Sequence, residues 1–246
     1  MRQLRLFCLP YAGSSSTVYL KWKKYLHASI ELVPIELAGR GKRFQENFYE
    51  NLEEVVDDVY YLIKNRLDEL PYAIFGHSMG SWITYGLGKK IMKTDRQKPV
   101  HLFFSGKEAP HVKKNKRIIH KLPDAELKDE LLKLGGTPEE FFKCRELLDL
   151  FMPVLRADYK VIETYKYKKE SGKLDCPISV LNGEEDDLTS EDITGWCNHT
   201  KSNCTIYNFE GGHFFIHEKT EKVVDVINGI LVMDLGAALP IHFVLK

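Results

Sequence analysis

The chain has 246 residues, enough for one domain with a sizeable core, and its 35 Lys and Arg balance 35 Asp and Glu to a formal net charge of +0. That balance removes the global basic footprint expected of a nucleic-acid binder. Hydrophobic residues at 43% and charged residues at 28%, with 17 Gly and 10 Pro, exclude a low-complexity or mainly disordered chain.

The opening Met1 to Pro10 holds an apolar run too short and too broken by charge for a secretory segment. No stretch approaches the ~18 uninterrupted apolar residues of a membrane span, so no membrane association is expected. The five cysteines, Cys8, Cys144, Cys176, Cys197 and Cys204, are odd in number, scattered and without a C-x-x-C pair. They are read as reduced thiols of a cytoplasmic protein, with neither a disulfide framework nor a metal site.

In chain order, short β-rich runs bounded by Gly, Pro or polar residues predict six strands: Leu4 to Leu9, Glu31 to Ile35, Tyr72 to Phe75, Val100 to Phe104, Ile178 to Leu181 and Thr205 to Phe209. Between the second and third, Leu52, Val55, Val56, Val59, Leu62, Ile63 and Leu67 recur every three to four residues and predict a helix with one apolar stripe. Another helical segment runs from Ser81 to about Lys93. The strand–helix alternation implies a parallel sheet covered on both faces. From Gly106 to Pro177 the chain far exceeds what a crossover needs. There Leu122, Leu127, Leu131, Leu132 and Leu134, then Leu147, Leu148, Phe151, Val154 and Leu155, carry helical spacing, separated by a Gly135-Gly136-Thr137-Pro138 turn. A helical lid inserted over about residues 111–168 of a single domain is the expectation. The tail after Gly236 joins no predicted element.

Gly76-His77-Ser78-Met79-Gly80 matches G-x-S-x-G between a predicted strand and a predicted helix, the turn that presents a nucleophilic serine above a sheet. Such a serine needs a base and an orienting carboxylate, in the chain order Ser, Asp or Glu, His. Of the later histidines, His199 falls on a helix, His217 at a helix start and His242 in the tail. His213, in Gly211-Gly212-His213 after the last strand, is the base the order selects. The acid belongs in the loop Asn182-Gly183-Glu184-Glu185-Asp186-Asp187, where four adjacent carboxylates leave the choice open. The Met79 N–H follows the nucleophile and supplies one oxyanion donor; a second is expected from the loop Leu9 to Ser16. That loop lacks the Gly-x-x-x-x-Gly-Lys spacing of a nucleotide cradle.

Several separate stretches resemble one family, the type II thioesterases that accompany nonribosomal peptide and polyketide synthases, close to the medium-chain thioesterase of animal fatty-acid synthesis. They are Phe7-Cys8-Leu9-Pro10-Tyr11-Ala12-Gly13, Glu36-Leu37-Ala38-Gly39-Arg40-Gly41-Lys42-Arg43, Gly76-His77-Ser78-Met79-Gly80, Ser105-Gly106-Lys107-Glu108-Ala109-Pro110, Leu122-Pro123-Asp124, Leu134-Gly135-Gly136-Thr137-Pro138, Leu155-Arg156-Ala157-Asp158-Tyr159 and Gly211-Gly212-His213-Phe214. The chain departs from the family at Ser14, where a second glycine is usual, and at Ala38, where proline is common.

The resemblance implies an α/β-hydrolase fold, a mostly parallel sheet flanked by helices with a helical lid. It places the acid on Asp186, with Asp187 as the neighbour that could be confused with it, and the second oxyanion donor on the Ala12 N–H. It implies hydrolysis of wrong or stalled acyl groups from the phosphopantetheine thiol of a carrier domain, with no metal or other cofactor, the arm belonging to the partner. The enzyme is expected to act as a monomer. Carrier domains are generally acidic, and the basic stretch Lys107, Lys113, Lys114, Lys116, Arg117 and Lys121 opens the insertion, so Lys113, Lys114, Lys116 and Arg117 are the expected docking residues. A soluble ester or acyl-CoA hydrolase keeps the same triad, and a non-catalytic binding protein on this scaffold would not need one.

Overall fold

A computed structural model describes residues 3–112, 117–134, 144–169 and 172–234. Six strands, β1 (Leu4–Leu9), β2 (Ile30–Pro34), β3 (Tyr72–His77), β4 (His101–Ser105), β5 (Ile178–Gly183) and β6 (Cys204–Phe209), form one sheet in the order β2-β1-β3-β4-β5-β6. Every pairing is parallel. The fold is that of an α/β hydrolase, as expected.

The four inner strands are buried at every residue, because helices cover both faces and neither can be polar. Period-two alternation sorts their side chains. Phe7, Leu9, Ile74, Leu102, Phe104, Ile178 and Val180 join one cluster with α1 (Leu52–Ile63), α2 (Met79–Met92) and Trp196, whose ring stacks on Phe104 at 4.0 Å. Leu6, Cys8, Ala73, Phe75, Phe103 and Leu181 join the other with Tyr19, Trp22 and α7 (Thr220–Asp234).

After β4 come α3 (Asp124–Leu134) and α4 (Arg145–Thr164), which share a small cluster of Ile119, Leu127, Leu131, Met152 and Leu155. The Gly135 to Pro138 turn and the tail after Gly236 lie outside the described residues. Between β5 and β6 lies the short α5 (Ser190–Thr194), and the single turn α6 (Phe215–Glu218) precedes α7.

Two expectations need correction. Leu62 is exposed, because it falls at the edge of the α1 stripe, and Leu67 is buried beyond the helix end, in the turn that follows. Cys197 and Cys204 form a disulfide rather than two thiols, since the turn Gly195–His199 folds back into β6 and brings their Cα atoms to 5.3 Å. Cys8, Cys144 and Cys176 are free.

Candidate active site

The strand order explains why residues from five parts of the chain meet. From β1 the chain goes out to the β2 edge, then returns past β1 to β3, so the loops after β1 and β3 diverge at a switch point, where ligands bind in open α/β sheets. Ser78 stands at that point with φ 53° and ψ −116°, the only non-glycine residue with positive φ among the described residues. Holding such a conformation costs of order 1–3 kcal/mol and persists only where the surroundings fix it.

The surroundings here are explicit. The Ser78 N–H donates to the Ser105 carbonyl at 2.7 Å. Wholly buried Ser81 places its Oγ 2.9 Å from both the Gly76 and Ser105 carbonyls and accepts the Ser105 N–H at 2.9 Å. A Cβ on Gly76 would stand 2.0 Å from the Gly80 carbonyl oxygen, and one on Gly80 would stand 2.4 Å from the Leu9 oxygen. The flanking glycines of the motif therefore allow the first turn of α2 to press on β3 and on the end of β1. This contact sets the start of α2 against Leu9 and Pro10, where the loop that carries Ala12 begins. Neither amide donates to a protein acceptor among the described residues, which leaves both available to an oxyanion.

At the far side of the sheet, the loops after β5 and β6 are tied backbone to backbone, Glu184 N–H to Phe209 O at 2.9 Å and Glu185 N–H to Gly211 O at 3.0 Å. Asp186 closes a tight turn on Gly183 and accepts the Asp187 N–H at 2.8 Å on one oxygen. Its other oxygen lies 2.8 Å from His213 Nδ1. With 7% of the Asp186 side chain exposed and 20% of the His213 ring, the pair is sheltered yet open on one side. Asp187 is exposed. Of the four adjacent carboxylates, Asp186 is thus the one seated on the imidazole.

Sequence reasoning passed over His77, the middle residue before the serine. Its ring is wholly buried, shares a 2.9 Å hydrogen bond with Ser105 Oγ, and packs 5.0 Å from the His213 ring. Burial, and then His213 and His217 nearby, push its pKa well below the usual histidine value, which keeps the ring neutral. Tyr11 packs edge-on against His77 and Phe214 and meets His217 Nε2 at 2.9 Å. Burial raises the Tyr11 phenol to about 12 and lowers His217 to about 4, Lys21 adding to the latter, so this contact is a neutral hydrogen bond. His199 is instead bonded to His111 at 2.7 Å and Tyr85 at 3.1 Å; His242 lies outside the described residues.

The two departures from the family pattern have structural outlets. Ser14 Oγ donates to the Tyr11 carbonyl at 2.8 Å, closing the loop after β1 with a side-chain bond. The Ala38 N–H donates to Tyr49 Oη at 3.0 Å, a bond that a proline could not make. Lys113, Lys114 and Lys116 lie outside the described residues. Arg117 is committed to its own neighbourhood, pairing with Glu126 at 2.5 Å and Glu130 at 3.2 Å, both on α3. Among the described residues no group of three His, Cys, Asp or Glu side chains could hold a metal ion.

A strained serine at a strand-to-helix turn, a carboxylate–imidazole pair from the last two loops and two unengaged amides are the kinds of parts a serine hydrolase uses. The chain belongs to the thioesterase family, whose domain model matches residues 4–231. It is 35% identical over 224 residues to the gramicidin S biosynthesis protein GrsT of Aneurinibacillus migulanus, covering 91% of this chain and 87% of that one. Among solved structures it is similar to ClbQ from the colibactin NRPS/PKS pathway, with a TM-score of 0.90 and 33% identity over 95% of this chain and 98% of that one. It is also similar to the type II thioesterase BorB from the borrelidin biosynthetic cluster, with a TM-score of 0.85 and 32% identity over 93% of each chain. It is a hydrolase of thioesters, of the type II group found with nonribosomal peptide and polyketide pathways.

Proposed function

We propose that the enzyme hydrolyses acyl groups from the phosphopantetheine thiol of a carrier domain, freeing arms blocked by wrong or stalled acyl groups. The observation that carries the chemistry is the Asp186–His213 bond at 2.8 Å, with the His213 ring 5.0 Å from that of His77, the residue before the strained Ser78. Ser78 Oγ attacks the thioester carbonyl while His213 Nε2 takes its proton. Asp186, held on Nδ1, keeps the imidazole in the tautomer that leaves Nε2 free and favours the cation that forms. The Ala12 and Met79 amides receive the oxyanion. The intermediate collapses, the C–S bond breaks and the thiol leaves with the proton from His213. Water then attacks the acyl-serine, again giving its proton to His213, and the acid departs as Ser78 is restored.

In this reading the segment of about residues 111–168, with α3 and α4, is the lid over the acyl chain. The arm comes from the partner, and no metal or further cofactor is used. Lys113, Lys114, Lys116 and Arg117 are the docking residues, the first three carrying the argument because the Arg117 charge is already met on α3. A cytoplasmic location goes with such a partner. Among the described residues no helix is long and apolar enough to cross a membrane.

The test is intact-mass monitoring of a carrier domain loaded with acetyl or a longer acyl group, beside the same acyl group on coenzyme A, with wild-type enzyme and with Ser78→Ala. Faster release from the carrier, lost by several powers of ten in kcat in the variant, is the expected result. Equal or faster hydrolysis of the coenzyme A ester would shift the assignment to a general acyl hydrolase. Full turnover by Ser78→Ala would remove the serine from its role.

A further inference from the structure

The oxyanion loop is held from outside by an ion pair that touches none of the reacting groups. Arg40, in the loop after β2, and Asp158, on α4, are 6% and 2% exposed. Two parallel bonds join them: Arg40 Nη1 donates to Asp158 Oδ2 at 2.6 Å, and Nη2 to Oδ1 at 2.7 Å. Asp158 Oδ2 also accepts the Gly13 N–H at 2.7 Å. On the other side of Gly13, Arg40 Nη1 donates to the Ser14 carbonyl at 3.1 Å. Its Nε donates to Ala38 O at 3.3 Å, fixing the guanidinium to its own loop.

The packing around Gly13 is as tight as the hydrogen bonding. The residue has φ +77°, where L side chains are strained, and a Cβ there would stand 2.5 Å from Leu155 Cδ2 and 3.1 Å from Phe151 Cζ. Phe151, Leu155 and Asp158 lie on successive turns of α4, so one face of that helix sits on the loop. The Gly13 N–H belongs to the same peptide plane as the Ala12 carbonyl. Pinning it fixes the rotation of that plane and so restricts the backbone of Ala12, whose own N–H remains unengaged.

Removing a charge pair of this kind and repacking the space with apolar groups is often neutral or favourable for stability. Its retention beside the oxyanion loop therefore asks for another benefit. We propose that the Arg40–Asp158 pair is the positioning device of the oxyanion hole, aiming the Ala12 N–H through the Ala12–Gly13 peptide and making the hole dependent on α4 being seated. The inference rests on Ala12 being an oxyanion donor. Arg40 and Asp158 are positioning residues; neither bonds the triad.

The experiment measures kcat and KM for an acyl N-acetylcysteamine thioester, and the affinities of two ligands with the same alkyl chain. One is a trifluoromethyl ketone, which adds Ser78 and places an oxyanion in the hole. The other is a thioether, which has no carbonyl. Asp158→Asn is expected to lower kcat about 10- to 100-fold, with KM and thioether affinity within about two-fold. Its affinity for the ketone should fall by the same factor as kcat. The paired variant Arg40→Met/Asp158→Leu removes both charges, leaves no buried ion unpaired, and should recover the melting temperature without recovering kcat. If Asp158→Asn does not fold, the paired variant alone decides. Recovery of kcat together with stability, or undiminished ketone binding beside a lowered kcat, would overturn the inference. A wild-type enzyme that binds the ketone no better than the thioether would overturn the assignment of the donors themselves, and the inference with it.

Discussion

At the scale of single residues, neighbours in sequence have different surroundings. Asp186 and Asp187 are adjacent carboxylates in one turn, yet Asp186 holds an amide on one oxygen and the imidazole on the other, while Asp187 is exposed. Asp186→Asn should therefore cost about 10⁴ in kcat, since an amide can present its N–H to Nδ1 and select the wrong tautomer. Asp187→Asn should stay within a few-fold. Steady-state kinetics of the two variants on one thioester checks this, and a reversed order would put the orienting carboxylate on Asp187. Residues with no reactive role matter comparably: Ser81, tying the ends of β3 and β4 together, and neutral His77, filling the space behind His213, keep the turn at Ser78 from relaxing.

At the scale of elements, local chemistry and long-range packing share the work. Helix α1 is self-specified: Asn51 Oδ1 accepts the Glu54 N–H at 3.0 Å, Glu53 and Glu54 lie in the first turn, and Leu52, Val55, Val56, Val59 and Ile63 make the buried stripe. Asn51→Ala should lower the unfolding free energy by about 1 kcal/mol with activity unchanged, as read by urea melts and a thioester assay. A loss of activity at unchanged stability would place α1 in the site's support. The strands read differently. Runs such as Leu4 to Leu9 look like strands buried on both faces, but the neighbour of each strand is settled by which helices fit between them. Helix α4 shows the same division, with its apolar spacing visible locally and its contact with the loop after β1 unannounced.

At the scale of the whole molecule, burial of neutral histidines ties stability to pH. Burial pushes His101, His199 and His217 down to about 4, with His111 adding to the shift of His199 and Lys21 to that of His217. In the unfolded chain such groups titrate near their ordinary value of about 6.5. Between about 6.5 and 4 the unfolded state therefore binds protons that the folded state refuses. Stability is fully present above about pH 6.5 and is lost as the pH falls toward 4. Thermal melts should give a level Tm from pH 7 to 8 and a steady decline below 6.5. A Tm that stays level down to pH 5 would show that these rings are already protonated in the fold.

The sequence by itself determined the class of fold and the six strands, and singled out Ser78 and His213 as the candidate nucleophile and base, because these depend on signals local to the chain: period-two and helical hydrophobic patterns, a glycine-flanked serine between strand and helix, and a histidine in a small-residue loop. Its resemblance to the thioesterases pointed to Asp186 and the Ala12 amide. Only the tertiary structure decided which carboxylate oxygen meets the imidazole, and that Cys197 and Cys204 lie close enough to join. It alone brought Arg40 and Asp158, 118 positions apart, onto the same glycine. These are outcomes of chain paths meeting above the carboxyl ends of parallel strands, and a contact between distant segments leaves no periodicity or spacing in either segment to read.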